Sequence, residues 1–192
     1  MRKFLICLLI FFVSNCCIAE EINVETLREN AIGFYNSNDL ENAFKNLEKI
    51  PDAEKTAEDY LLMANLKQDY DNYYAAIDFL QLSLKKDNNF YKAYYNLGII
   101  YIQQKKYLLA IESFQKAIKI NKDFAWGYYN LGCCYLELKN YKVAKSYFNR
   151  AILRKNDVPD FYYNLALAYK KLNDTKNAEK VLKIYNELSA RG

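Results

Sequence analysis

The stretch Tyr94-Tyr95-Asn96-Leu97-Gly98-Ile99-Ile100-Tyr101 returns 34 residues later as Tyr128-Tyr129-Asn130-Leu131-Gly132-Cys133-Cys134-Tyr135. Working outward at the same step, Tyr60, Tyr94, Tyr128 and Tyr162 form one column, and Met63, Leu97, Leu131 and Leu165 a second. Ala64, Gly98, Gly132 and Ala166 form a third column of small residues. The second half of each row carries Ala76, Ala110, Ala144 and Ala178, followed by Leu80, Phe114, Phe148 and Leu182. A fifth, degenerate row precedes these, with Leu27, Ala31, Phe34, Ala43 and Leu47, in register once a one-residue deletion near Pro51 is allowed. A fixed period of this length is the mark of stacked supersecondary units, none of which can bury its apolar face alone.

Each row contains two helices by spacing. Tyr94, Leu97, Gly98 and Tyr101 fall at i, i+3, i+4 and i+7, and Ala110, Ile111, Phe114, Ala117 and Ile118 repeat the pattern. The expectation is an all-α chain of antiparallel helix pairs, each helix roughly 14 residues and about 20 Å long. The small residues at Gly98 and Gly132 sit where bulk would hold the paired helices apart, with Phe114 and Phe148 filling the far side.

These columns resemble the tetratricopeptide repeat family, through Tyr94 to Tyr101 with Tyr107, Ala110, Phe114 and Ala117, and through Tyr128 to Tyr135 with Tyr141, Ala144, Phe148 and Ala151. The resemblance extends from residue 24 to 192 as five units near 24–56, 57–90, 91–124, 125–158 and 159–192. Lys122 and Asn156 stand where the family usually has Pro, and no further polar helix follows the last unit, which leaves Val181, Leu182, Ile184 and Tyr185 partly uncovered. The resemblance implies a right-handed α-solenoid over residues 20–192 whose first helices line a concave groove for a peptide or helix of a protein partner. Mapped onto this chain, the groove residues are Tyr95, Tyr129 and Tyr163, then Asn65, Ile99, Cys133 and Leu167, then Ile102 and Leu136, with Trp126 at the rim. Helical geometry supports part of this set, because Tyr95 and Ile99 are one turn apart while Tyr94, Leu97 and Tyr101 form the inward stripe. The tyrosines Tyr95, Tyr129 and Tyr163 are open to two readings, a binding ladder or packing between units. Tyr60, Tyr94, Tyr128 and Tyr162 are expected in the core. The carboxylate clamp that some members use for chaperone tails is missing its cations, since Leu61, Trp126 and Asn130 occupy those places.

The first residues read separately. Arg2 and Lys3 precede ten apolar residues from Phe4 to Val13, and Cys17 and Ala19 supply small residues ahead of Glu20. This predicts a signal peptide over 1–19 and export to a periplasmic or extracellular space. Val13-Ser14-Asn15-Cys16 offers a second reading, a lipoprotein acylated at Cys16, and only in that case would a membrane be a partner.

Composition bounds the chemistry. With no histidine, His-based triads, His metal sites and imidazole acid–base catalysis are absent. No Gly-rich phosphate loop or GxSxG motif occurs, so neither an enzyme, a cofactor nor a metal is expected. Cys133 and Cys134 are adjacent on one helix, about 100° apart, and read as small core residues rather than a redox pair. Charge is uneven, with residues 20–71 carrying net −8 and residues 72–192 net +10. Solvated helix backs account for this most simply, and head-to-tail association or an acidic partner are the other readings. The function expected is a non-catalytic protein-interaction scaffold without nucleic acid, able to form a homo-oligomer through the C-terminal helix. An RNA-binding helical repeat is the remote alternative.

Overall fold

The computed structural model describes residues 23–191, so the predicted signal peptide and the Cys16 acylation site lie outside the described residues. Among the described residues there are ten helices and no strand. In chain order they are α1 (Val24–Asn36), α2 (Leu40–Lys49), α3 (Ala57–Asp69), α4 (Tyr73–Lys86), α5 (Tyr91–Gln103), α6 (Tyr107–Ile120), α7 (Ala125–Glu137), α8 (Tyr141–Ile152), α9 (Pro159–Lys171) and α10 (Thr175–Ser189). The chain divides into two compact units, one ending at Glu54 and one beginning at Lys55.

The first unit is the α1–α2 pair. Asn23 caps α1 by accepting from the Thr26 N–H, and Asp39 caps α2 by accepting from the Asn42 N–H at 3.1 Å. Ala31, Ala43 and Leu47 are its buried apolar residues on these two helices. Arg28 reaches the Glu54 carbonyl at 2.7 Å and so ties α1 to the segment that follows α2.

The second unit is an α-solenoid of four helix pairs, α3–α4, α5–α6, α7–α8 and α9–α10, in which the second helix of each pair packs on the first helix of the next. The core is distributed accordingly. Ala110, Ile111 and Phe114 of α6 meet Leu131 and Cys134 of α7, and Ala144 and Phe148 of α8 meet Leu165 and Ala168 of α9. No central core exists in this unit, and each interface completes the burial of the pair before it.

Within a pair, the closest approach is between a glycine and a phenylalanine ring. A Cβ on Gly132 would stand 2.5 Å from Phe148 Cε1, and one on Gly98 would overlap the Phe114 ring in the same way. Both rings are fully buried. Where the small column carries alanine instead, at Ala64 and Ala166, the position that holds phenylalanine in the glycine rows holds leucine, Leu80 and Leu182. By column, glycine goes with phenylalanine and alanine with leucine, so the combined side-chain volume stays nearly constant from row to row.

Each pair turns through a residue in the left-handed region, at Asn38, Asp71, Lys105, Lys139 and Asn173, with φ between 55° and 62°. The following N–H closes back on the first helix, as when Lys106 donates to the Tyr101 carbonyl at 2.8 Å and Asn140 to the Tyr135 carbonyl at 2.8 Å. This is the Schellman closure, which satisfies the last carbonyls and needs a residue that tolerates positive φ. Asn and Asp tolerate it better than Lys. Asn72, Asn140 and Asp174 then cap the second helices, while Lys106 gives α6 no side-chain cap.

The inward tyrosine stripe needs one correction. Tyr60, Tyr128 and Tyr162 are buried, but Tyr94 is only partly so. Its ring packs against the α4–α5 core on one side, while the Lys116 ammonium lies 5.8 Å from its centroid.

Two measurements check this account. Gly132→Ala gains helix propensity but forces the Phe148 ring to move, a net loss of about 1–3 kcal/mol. Adding Phe148→Leu should restore the alanine–leucine pairing, giving a coupling of about 1 kcal/mol or more in a urea-denaturation double-mutant cycle. Additivity would show that the two columns do not share volume. Lys139→Gly should raise stability by about 1 kcal/mol by relieving the positive φ, read as an upward shift of the urea midpoint.

Candidate peptide-binding face

The first helices α3, α5, α7 and α9 present their groove residues at the same register, and the structure divides them into two kinds. Tyr95 and Tyr129 are partly buried between units. The Tyr95 ring lies 5.6 Å from Phe114 and 4.9 Å from Phe124. Tyr129 lies 5.9 Å from Phe148, stacks on Phe161 at 4.8 Å, and meets Trp126 edge-on at 5.6 Å. Trp126 also contacts Phe161 edge-on at 5.0 Å, so Trp126, Tyr129 and Phe161 form one aromatic cluster between α7 and α9.

The hydroxyls of these tyrosines enter a ladder of asparagines. Asn130 donates to the Tyr95 hydroxyl at 3.1 Å, and Asn164 donates to the Tyr129 hydroxyl at 2.8 Å. One unit earlier Leu61 has no hydroxyl to offer, and Asn96 donates instead to Asn65 Oδ1 at 2.6 Å, one helical turn further along. Each bond joins the first helices of neighbouring units. For Tyr95 and Tyr129, of the two readings open in the sequence, the observed contacts are those of packing between units.

Tyr163 differs. It is 51% exposed, and its ring meets Tyr185 of α10 at 5.5 Å. The remaining groove residues form a strip one turn on. Asn65, Ile99, Cys133 and Leu167 occupy one position on four successive first helices and are all partly exposed, as are Ile102 and Leu136 beside them. Ile99 and Ile102 rest on the α6–α7 core, and Cys133 and Leu136 on the α8–α9 core.

Electrostatics on this face are quiet. Burial pushes the Tyr95 hydroxyl up, the Asn130 bond opposing it, and burial pushes Tyr129 up strongly, reinforced by Cys133. Burial also pushes the Cys133 thiol up to about 12, with a Tyr129 hydrogen bond acting against it, and Cys134 up to about 12. The nucleophile is the thiolate. Both thiols are therefore held neutral and unreactive, as befits residues that fill space. Among the described residues no group of three or more His, Cys, Asp and Glu could hold a metal ion, and no helix is long and apolar enough to cross a membrane.

Sequence reasoning did not foresee the role of the Asn96, Asn130 and Asn164 column, which reads as a bare feature of the repeat. Its signal was present: the 35-residue offset from Tyr95 to Asn130 and from Tyr129 to Asn164. It also missed Phe124, which repeats Phe90 at the 34-residue step, and Phe161, which stands where the other rows have Asp59, Ala93 and Gly127; both supply rings on which the tyrosines rest.

Truncation separates the two kinds of tyrosine. Tyr129→Ala should lose about 2–4 kcal/mol, because it vacates a site between three rings and takes one acceptor from the Asn164 amide, which keeps its bond to the Asp160 carbonyl. Tyr163→Ala should stay within about 0.5–1 kcal/mol of wild type. Urea denaturation of the two variants checks this, and equal losses would contradict the division.

Tetratricopeptide repeat profiles match residues 91–124, 127–157 and 159–188. No curated protein matches the sequence. Among solved structures, a crystal structure of MamA is similar at 24% identity and a TM-score of 0.76, over 84% of this chain and 95% of that one. A second MamA crystal structure gives 23% identity and 0.75, over 88% and 92%. MamA 41-end from Desulfovibrio magneticus RS-1 gives 20% and 0.77, over 88% and 96%. At these identities the likeness is one of fold. The chain carries tetratricopeptide repeats at 91–124, 127–157 and 159–188, and its all-helical architecture is that of the tetratricopeptide repeat solenoid.

Proposed function

We propose that this chain is a non-catalytic protein-interaction scaffold that receives a peptide or helix of a partner protein along its first helices. The observation that carries this reading is the strip Asn65, Ile99, Cys133 and Leu167, partly exposed at one register on α3, α5, α7 and α9, with the exposed Tyr163 beside it. A row of mostly apolar side chains at fixed spacing suits an amphipathic or extended ligand, which gains apolar contact without ordering the receptor further. Because Tyr95 and Tyr129 spend their hydroxyls on asparagines, they define the floor of this face, and Tyr163 is the tyrosine free to act as an anchor. Repeat units account for the matched residues with no room for a separate catalytic domain among them.

We further propose that the scaffold is exported, on the strength of Arg2-Lys3 and the apolar run Phe4 to Val13, with acylation at Cys16 as the second form of the same reading. The N-terminal mass of the protein recovered from cells distinguishes the two, since cleavage leaves Glu20 first and acylation leaves a lipid on Cys16.

The groove reading is tested with the partner that the wild-type protein captures. Tyr163→Ala combined with Leu167→Ala should keep the helical circular-dichroism signal and weaken capture by about 2 kcal/mol, roughly thirtyfold, as the loss of interface anchors does. Undiminished capture by the folded double variant would place recognition elsewhere.

A further inference from the structure

A second surface of the solenoid has the chemistry of a binding site. Between the C-terminal ends of α6 and α8, on the second-helix side, a cleft of about 370 Å³ is lined by Ile118, Lys119, Lys122, Tyr128, Arg150 and Arg154, together with one glutamine. Four of these residues are cations and none is a carboxylate. Among the described residues none of the four forms an ion pair. Four uncompensated charges around one opening repel one another, and an oxyanion seated there would offset that repulsion.

The two guanidinium groups are pre-arranged. Arg154 lies 3.9 Å from the Tyr128 centroid, held there because its Nε donates to the Lys122 carbonyl at 2.6 Å and its NH1 to the Arg150 carbonyl at 2.8 Å. Arg150 lies 4.6 Å from the same centroid and 5.4 Å from that of Tyr147. Its side chain donates no hydrogen bond among the described residues, so the whole fork remains available. Tyr128 itself is buried, and a buried ring with arginines laid against it is a rigid platform that fixes two long side chains at little further entropic cost.

We propose that this cleft binds an acidic segment of a partner polypeptide, with Asp or Glu carboxylates on Arg150, Arg154, Lys119 and Lys122 and an apolar neighbour against Ile118. The guanidinium fork matches a carboxylate in two parallel hydrogen bonds. Cations stand on both sides of the opening, on the α6 end and on the α8 end, so a ligand with several spaced carboxylates uses all four. The mixed wall of an amide and Ile118 suits the backbone and side chains of a peptide, which a bare phosphate would leave unused. The surrounding charge agrees, since residues 72–192 carry net +10 and would draw such a partner in. The cleft is separate from the first-helix face, so one chain can hold two partners at once, and this site stands or falls independently of the groove.

The test is fluorescence anisotropy of a labelled ten-residue peptide alternating Glu and Leu, titrated with the full chain. Saturable binding is expected at about 50 mM salt, weakened several-fold at about 300 mM as exposed charges are screened. Arg150→Gln with Lys119→Gln should reduce affinity about tenfold or more, and Lys119→Gln alone, which leaves the Tyr128 platform untouched, by a smaller factor. Lys170→Gln with Lys171→Gln removes the same charge elsewhere and should leave affinity nearly unchanged, as should Tyr163→Ala in the groove. The proposal is overturned if the peptide does not bind, or if both paired variants lose affinity alike, which would assign the effect to the general field of the basic half. Circular dichroism of each variant confirms that a loss of binding is not a loss of fold.

Discussion

The contact on which the solenoid depends is the seating of a phenylalanine ring where the partner helix has no side chain. Phe114 and Phe148 are fully buried against Gly98 and Gly132, and a single methyl group at either glycine would intrude on the ring. Dense packing tolerates little excess volume, so the distance between the two helices of a pair is set by the sum of two side chains rather than by either alone. In the rows with Ala64 and Ala166 the matching large residues are Leu80 and Leu182, a different partition of nearly the same volume. Helix separation determines where the next pair can dock, which is why this local contact governs the whole stack.

Between pairs a second constraint operates, and it is polar. The asparagine column reaches back by one unit to the tyrosine hydroxyl before it, at Asn130–Tyr95 and Asn164–Tyr129. These amides are partly buried, so leaving one without its partner would cost a part of the about 1–3 kcal/mol that a fully buried one would lose, and the pairing specifies register more than it adds stability. Where leucine replaces tyrosine at Leu61, the amide finds Asn65 one turn on. The aromatic rings then tile the gap that the ladder spans, with Phe124 and Phe161 beneath the tyrosines.

The arrangement gives the two faces of the solenoid different chemistry. The first helices spend their tyrosines on unit-to-unit packing and leave a narrow, mostly apolar strip that ends at Tyr163. The second helices are charged and carry, between their ends, two arginines stacked on a buried ring. On the reading proposed above, an apolar strip and a basic cleft would suit different ligands, because one offers apolar contact and the other cations. Burial holds the Cys133 and Cys134 thiols neutral.

Helix periodicity and the 34-residue step are local properties of the backbone, and they were legible in full. The step from Tyr60 to Tyr94, Tyr128 and Tyr162 returns as the step between the starts of α3, α5, α7 and α9. The small-residue columns were legible for the same reason, because any helix pair must approach somewhere and only glycine and alanine permit it. What a residue at the edge of the apolar stripe does is not local. Tyr95, Tyr129 and Tyr163 share one register on their own helices, yet two are packed and one is open, according to whether a ring and an asparagine arrive from the following unit. Tyr94 likewise emerges partly exposed although its counterparts Tyr60, Tyr128 and Tyr162 are buried. The cleft at Tyr128 was invisible in the chain because Lys119, Lys122, Arg150 and Arg154 belong to different units and read there as ordinary solvated charges. Only the stacking of α6, α7 and α8, with the carbonyls of Lys122 and Arg150 positioning one guanidinium, brings them to the wall of a single cleft.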